Sequence, residues 1–167
     1  MLKKHVIESK IVQANDSAQL SRLINNWRKH AKKVVFTNGC FDILHLGHID
    51  YLSNAADLGH ELVVGLNTDK SVRRLKGPGR PVNDQDARAR LLASLFFVSA
   101  VVLFDEDTPY ELIKKVQPHV LVKGSDYKAE DIVGYDVVKA RQGEVVTIDF
   151  LEGFSTSAII EKLRQEK

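Results

Sequence analysis

Short apolar runs rich in Val and Ile alternate along this chain with longer stretches whose apolar residues recur at helical spacing. Runs of strand length occupy residues 33–37, 62–66, 100–104, 119–122 and 145–148, and helical periodicity covers residues 47–58, 69–75, 84–97, 109–116, 129–142 and 156–164. This repeated strand and helix order predicts an α/β fold, a doubly wound sheet of about five parallel strands with helices on both faces. In such sheets the carboxyl ends of the strands lie along one edge and ligands bind in the crevice beyond it. The chemistry is therefore expected just after each strand.

Ahead of the first run, Leu20, Leu23, Ile24 and Trp27 stand at i, i+3, i+4 and i+7 and form one apolar stripe on a helix that Asp16 or Ser17 can cap. Residues 1–31 are expected to form a helical flank to a domain of residues 32–167, with the stripe packed on that domain or on another subunit. Residues 1–10 mix Lys3, Lys4, His5, Glu8 and Lys10 with isolated apolar side chains, a pattern of neither a signal peptide nor a membrane span. Lys76-Gly77-Pro78-Gly79-Arg80-Pro81 breaks the periodicity as a loop with two cations.

The 167 residues suffice for one buried core, and no repeat or linker marks a second domain. Lys and Arg number 24 against 22 Asp and Glu, a net charge of +2, too small an excess for indiscriminate binding to nucleic acid. The single cysteine, Cys40, permits no internal disulfide and suits a reducing, cytoplasmic setting.

The segment Phe36-Thr37-Asn38-Gly39-Cys40-Phe41-Asp42-Ile43-Leu44-His45-Leu46-Gly47-His48 runs from a Val-rich strand through a glycine turn into a helix. Gly39 lets the backbone approach a ligand, and the free N–H groups at the helix start favour an anion. With the helix beginning near Leu46, His45 and His48 both face that anion, and Gly47 keeps a side chain out of its path. A metal pair is the rival reading. No neighbouring Cys or Glu completes a ligand set, so no metal site is expected.

Set between strand and helix, the His-x-Gly-His arrangement resembles the signature of the Rossmann-like nucleotidyltransferase superfamily, which includes cytidylyltransferases, pantetheine-phosphate adenylyltransferases and class I aminoacyl-tRNA synthetases. The match continues in order through Leu66-Asn67-Thr68-Asp69, Arg74-Leu75-Lys76-Gly77 and Arg80-Pro81-Val82-Asn83. It goes on through Glu106-Asp107-Thr108-Pro109, Leu121-Val122-Lys123-Gly124-Ser125-Asp126-Tyr127 and Gly153-Phe154-Ser155-Thr156-Ser157. Over residues 32–165 the chain is thus similar to bacterial D-glycero-β-D-manno-heptose 1-phosphate adenylyltransferases. The resemblance implies transfer of AMP from ATP, carried with Mg2+, to that heptose 1-phosphate. The products are ADP-heptose, for the lipopolysaccharide inner core, and pyrophosphate. In the family this domain is often fused behind a sugar kinase, and the present chain resembles the stand-alone form. A homodimer, with no nucleic-acid or membrane partner, is the family expectation.

Two alternatives stand beside this one. The first is a cytidylyltransferase acting on a polyol or amino-alcohol phosphate. Those for glycerol 3-phosphate usually carry Arg shortly before their Ser-Thr motif, where this chain has Phe150-Leu151-Glu152-Gly153-Phe154. The second is a non-catalytic nucleotide sensor, opposed by intact His45, Gly47, His48, Lys76 and Ser155.

By resemblance, His45, His48 and Lys76 are the expected catalytic residues, and Thr37, Asn38, Gly39, Phe41, Gly47, Ser155 and Thr156 bind the nucleotide. Ser155 and Thr156 precede the last helix, whose free N–H groups form a second anion site while either hydroxyl can also cap it. Asp42, Arg80, Arg88 and Asp126 are expected at the substrate or one layer behind it. Asp42 fixes the turn, and Arg88 either reaches phosphate or forms a surface ion pair. Asn67 and Asp69, after the second strand, are further candidates at the ligand-binding edge or else turn and capping residues, and Cys40 has no catalytic role.

Overall fold

The computed structural model describes residues 3–13 and 15–165. Among these, the apolar runs form β1 Ile11–Val12, β2 Val34–Gly39, β3 Glu61–Asn67, β4 Ala100–Phe104, β5 Val120–Gly124 and β6 Glu144–Ile148. They join in one all-parallel sheet of order β1-β4-β3-β2-β5-β6. The helices are α1 Lys3–Ser9, α2 Ser17–Lys29, α3 Leu46–Ala56, α4 Asp69–Lys76, α5 Gln85–Ser94, α6 Tyr110–Val116, α7 Tyr135–Lys139 and α8 Thr156–Gln165. No helix among the described residues is long and apolar enough to cross a membrane.

The five expected strands are present, and β1 is a sixth. With only two residues it leaves no periodic trace, yet it pairs with Val101 and Val102 of β4. The backbone N–H of Val101 also donates to Lys10 O at 2.8 Å. The flank thereby extends the sheet. Helix α1, within the expected helical flank, leans on α5, where Glu8 pairs with Arg90 at 3.2 Å. The continuous helix expected over residues 129–142 is broken into a 3-10 turn, Ala129–Asp131, and the short α7. Gly134 lies between them at φ 91°, and a Cβ there would stand 2.7 Å from Ile113 Cδ1.

Alternation along the strands sends side chains into two cores, one on each face of the sheet. Phe36, Val63 and Val102 face α2, α6 and α7, while Val35, Val64 and Val101 face α3 and α5. Asp16 Oδ1 caps α2 by accepting from Gln19 N at 2.9 Å. The stripe on this helix is core: Leu20, Ile24 and Trp27 are buried with Ile113 and Val116 of α6. It offers no face to another subunit.

Counting β2 as the first of five, the order β4-β3-β2-β5-β6 reads 3-2-1-4-5, so connections leave β2 in both directions. The switch point lies between the carboxyl ends of β2 and β5, where a crevice is expected to open.

Because the flanking helix is part of the core, Trp27→Ala is expected to cost about 3–5 kcal/mol of unfolding free energy. Urea denaturation measures it, and a loss no larger than that of a surface substitution would show that α2 is an appendage.

Candidate active site

A two-lobed crevice opens at that switch point. The first lobe, about 490 Å³, is bounded by His45, Gly47, Phe150, Phe154 and Ser155. The second, about 600 Å³, is bounded by Lys76, Arg80, Asp107, Thr108 and Asp131. The wall between them is common to both: Asn38, Gly39, Cys40, Phe41, His48, Lys123, Tyr127 and Thr156.

Helix α3 begins at Leu46, as its motif requires. His45 is the N-cap at φ −139°, with no side-chain capping bond, and its carbonyl accepts from His48 N and Ile49 N. The two rings stack at 3.8 Å and 22°. Both Nδ1 atoms are buried without a hydrogen-bond partner among the described residues. Burial lowers the pKa of His45. At His48 burial, helped by the neighbouring His45, lowers it to about 4 against a weak opposing pull from the Ile43 backbone. The free protein therefore holds a neutral pair. A Cβ at Gly47 would stand 3.1 Å from the His45 ring and from Phe154 Cβ, so glycine lets the α8 side close against the α3 start.

The unusual backbone of the turn lies at Phe41, and Gly39 has an ordinary φ. Phe41 holds the left-handed conformation, at φ 43°, while its ring covers Gly39 and meets His48 edge-on at 5.2 Å. A non-glycine residue there costs about 1–2 kcal/mol, which burial of the ring offsets. Thr37, expected against the nucleotide, is fully buried and shares a 2.9 Å hydrogen bond with Tyr51 Oη behind the wall. Burial pushes the Tyr51 phenol up to about 12, so it stays neutral.

Arg88, expected to reach phosphate or form a surface ion pair, forms an ion pair that is buried. It is fully buried, and its guanidinium donates to Cys40 O (2.7 Å), Asn67 O (2.9 Å), Asn83 O (3.0 Å) and Asp69 Oδ1 (2.7 Å). Its place is behind the site, tying the ends of β2 and β3 together. Asp42 is buried as well. It accepts from Val82 N (2.7 Å), Asn83 N (3.0 Å) and Arg80 Nε, and thus fixes the 77–83 loop on the turn after β2. Burial would raise its pKa, but the Asn83 and Val82 backbone bonds and Arg80 outweigh that and hold the carboxyl below its usual range. Arg80 is committed to this pair at the rim of the second lobe. Lys76 stands exposed at the end of α4 in the same lobe.

Ser155 Oγ caps α8 by accepting from Ala158 N at 3.1 Å, and Thr156 opens the helix at the wall shared by the lobes. The N-termini of α3 and α8 thus face one space. Asp126 is the carboxylate lining the first lobe. Asn67 bonds Ser71 inside the fold, and Thr68, rather than Asn67 or Asp69, caps α4. Burial pushes the Cys40 thiol up despite Lys76, Arg88 and Arg80, so it is no nucleophile at neutral pH. Residues missed from sequence are Lys123 and the aromatic side chains Tyr51 and Tyr127. Lys123 has a local signal, a lone charge at the carboxyl end of an apolar strand.

The sequence pattern of the cytidylyltransferase-like family matches residues 36–162. Several relatives are named bifunctional protein HldE. That of Nitratiruptor sp. is 56% identical over 149 residues, 89% of this chain and 31% of the relative. That of Campylobacter concisus is 59% identical over 140 residues, 84% of this chain and 29% of the relative. The chain therefore spans about a third of the length of the curated relatives it matches. A crystal structure of the lipopolysaccharide core biosynthesis protein from Thermoplasma volcanium superposes with a TM-score of 0.62 at 30% identity, covering 72% of this chain and 99% of that one.

Two outcomes follow from this geometry. In the free protein, NMR titration of the His48 ring is expected to give a midpoint of about 4. Pyrophosphate against the ring favours the imidazolium and should raise the midpoint, with proton uptake on binding between the two values. A midpoint near the ordinary histidine value, or one that pyrophosphate leaves in place, would contradict this account. Separately, Arg88→Ala strands four acceptors and is expected to cost about 3–5 kcal/mol in urea unfolding. Arg88→Lys should restore little of it, because an ammonium lacks the fork that reaches them all.

Proposed function

The chain belongs to the cytidylyltransferase-like family, and from that premise we propose that it transfers AMP from ATP to D-glycero-β-D-manno-heptose 1-phosphate, giving ADP-heptose and pyrophosphate. The observation that carries this reading is the crevice itself: two lobes share a wall that contains His48 and Thr156, so two phosphate-bearing ligands can meet there. Support for the heptose comes from the HldE relatives and the lipopolysaccharide core biosynthesis neighbour.

ATP occupies the first lobe. Its base lies among Tyr51, Phe150 and Phe154, an apolar surface, and its phosphates lie against the N-termini of α3 and α8. Mg2+ enters with ATP. Asp126, the carboxylate of the first lobe, fits an ion held mainly by phosphate and water, and no cluster of three metal-ligating side chains occurs among the described residues. The sugar phosphate occupies the second lobe, with Lys76 and Arg80 near its phosphate. The reaction runs in the cytoplasm, where ATP is supplied.

An acceptor phosphate oxygen attacks the α-phosphorus in line, and the bond to the β-phosphate breaks with its electron pair leaving on pyrophosphate. The attacking oxygen is already anionic, so no base is needed. The protein supplies alignment and charge stabilisation. His45 and His48 donate hydrogen bonds to the α-phosphate and the departing oxygen.

Pyrophosphate release tests the reading. It is expected with ATP and heptose 1-phosphate together; release with CTP and a polyol or amino-alcohol phosphate, and none with ATP, would overturn it. His48→Ala should lower kcat by about one hundredfold, the scale of losing one oxyanion donor. Near-normal turnover in a folded variant would remove His48 from the mechanism.

A further inference from the structure

Lys123 stands in the wall that the two lobes share and has no part in the account above. It is the charged residue of β5, VLVKG, at the carboxyl end of the strand beside the switch point. Its ammonium has three donors to satisfy. Among the described residues it makes one marginal hydrogen bond, to Asn38 O at 3.5 Å, and lies 5.8 Å from the centre of the Tyr127 ring. It has no ion pair there, and Asp126 is the carboxylate whose charge it feels. Burial lowers its pKa, with Asp126 and Cys40 pulling the other way. A half-buried cation with so few partners is costly in the free protein, and an anion in the crevice removes that cost.

The other shared side chains carry no positive charge in the free protein. There His48 is neutral until pH falls to about 4, and it becomes cationic only by taking up a proton once phosphate lies against it. The Cys40 thiol is held protonated. Lys76 and Arg80 line the second lobe alone, and His45 and Ser155 the first alone. Where the two ligands come into contact, Lys123 is the cation that faces both.

Resting on the reading of the lobes as donor and acceptor sites, we propose that Lys123 is a catalytic residue that bonds oxygens of the α-phosphate and of the acceptor phosphate as the two anions close on one another. Nucleophile and electrophile are both negatively charged, and their repulsion grows until the new P–O bond forms and the bond to pyrophosphate breaks. A cation between them offsets that repulsion most at the transition state. Lys123 transfers no proton and remains an ammonium throughout.

Lys123→Met keeps most of the aliphatic length and removes the charge. It is expected to lower both kcat and kcat/KM by about one hundredfold. The Kd for ATP, measured by calorimetry, should weaken by a much smaller factor, and Lys123→Arg should recover part of the rate. A raised KM with unchanged kcat, or near-normal turnover, would overturn the proposal. A second readout uses the unmutated protein: the Lys123 Cε–H NMR signal should move when MgATP or MgCTP is added. If neither moves it, Lys123 does not touch the phosphates and the proposal fails. If the signal moves but heptose 1-phosphate is not consumed, the assigned acceptor is wrong and the place of Lys123 at the phosphates stands.

Discussion

The carboxyl edge of the sheet is held by one buried guanidinium. Arg88 serves the carbonyl of Cys40, just past the end of β2, and that of Asn67, the last residue of β3. The same side chain donates its remaining hydrogen bonds to Asn83 O and to Asp69 Oδ1 at the start of α4. A cation inside a protein is tolerated only when its donors are met, and here four acceptors from four segments meet them. Because the fork of the guanidinium is rigid, satisfying it also fixes where those segments stand. The turn at Cys40 and Phe41 cannot relax away from its left-handed backbone without stranding one of these bonds.

Asp42 complements this arrangement from the other side of the same turn. Asn83 links the two buried charges, since it accepts from Arg88 and donates to Asp42 through both its backbone and its side chain. The loop that carries Arg80 and follows Lys76 is thereby docked, although its glycines and prolines give it no regular structure. The opposite wall is built differently. Helix α8 has no buried residue, and Phe150, Leu151 and Phe154 remain substantially exposed. One side of the crevice is thus set by the core and the other lies on it as a surface element with few buried contacts, the kind of segment that opens at low free-energy cost.

What could be read from the sequence follows from the range of each interaction. Strands β2 to β6 and most helices came from local periodicity, and so did the start of α3 between His45 and His48, where a motif confines the backbone. The break in the 129–142 helix escaped because Gly134 answers to Ile113, a residue far away in sequence. Strand β1 escaped because two residues carry no period. Arg88 shows the limit most plainly. An arginine on a helix reads as exposed, and only the tertiary meeting of Cys40, Asn67, Asn83 and Asp69 makes burial favourable. Thr37 escaped for a related reason: strand alternation turns it toward Tyr51 rather than toward the crevice.

The electrostatics of the crevice depend on the same distinction between local and assembled features. A net charge of +2 hides a cluster of cations, and sequence alone placed two histidines among them. In the folded protein those rings stack at 3.8 Å, where two positive charges would repel, and burial keeps His48 neutral to about pH 4. The permanent positive field comes instead from the N-termini of α3 and α8, from Lys76 and from Lys123. Protonating His48 becomes favourable only when enough negative charge lies against it, so the pair adds its charge for a ligand dense in phosphate and withholds it from a weaker anion. The site therefore gains positive charge as its ligand gains negative charge, without carrying an unpaired surplus when empty.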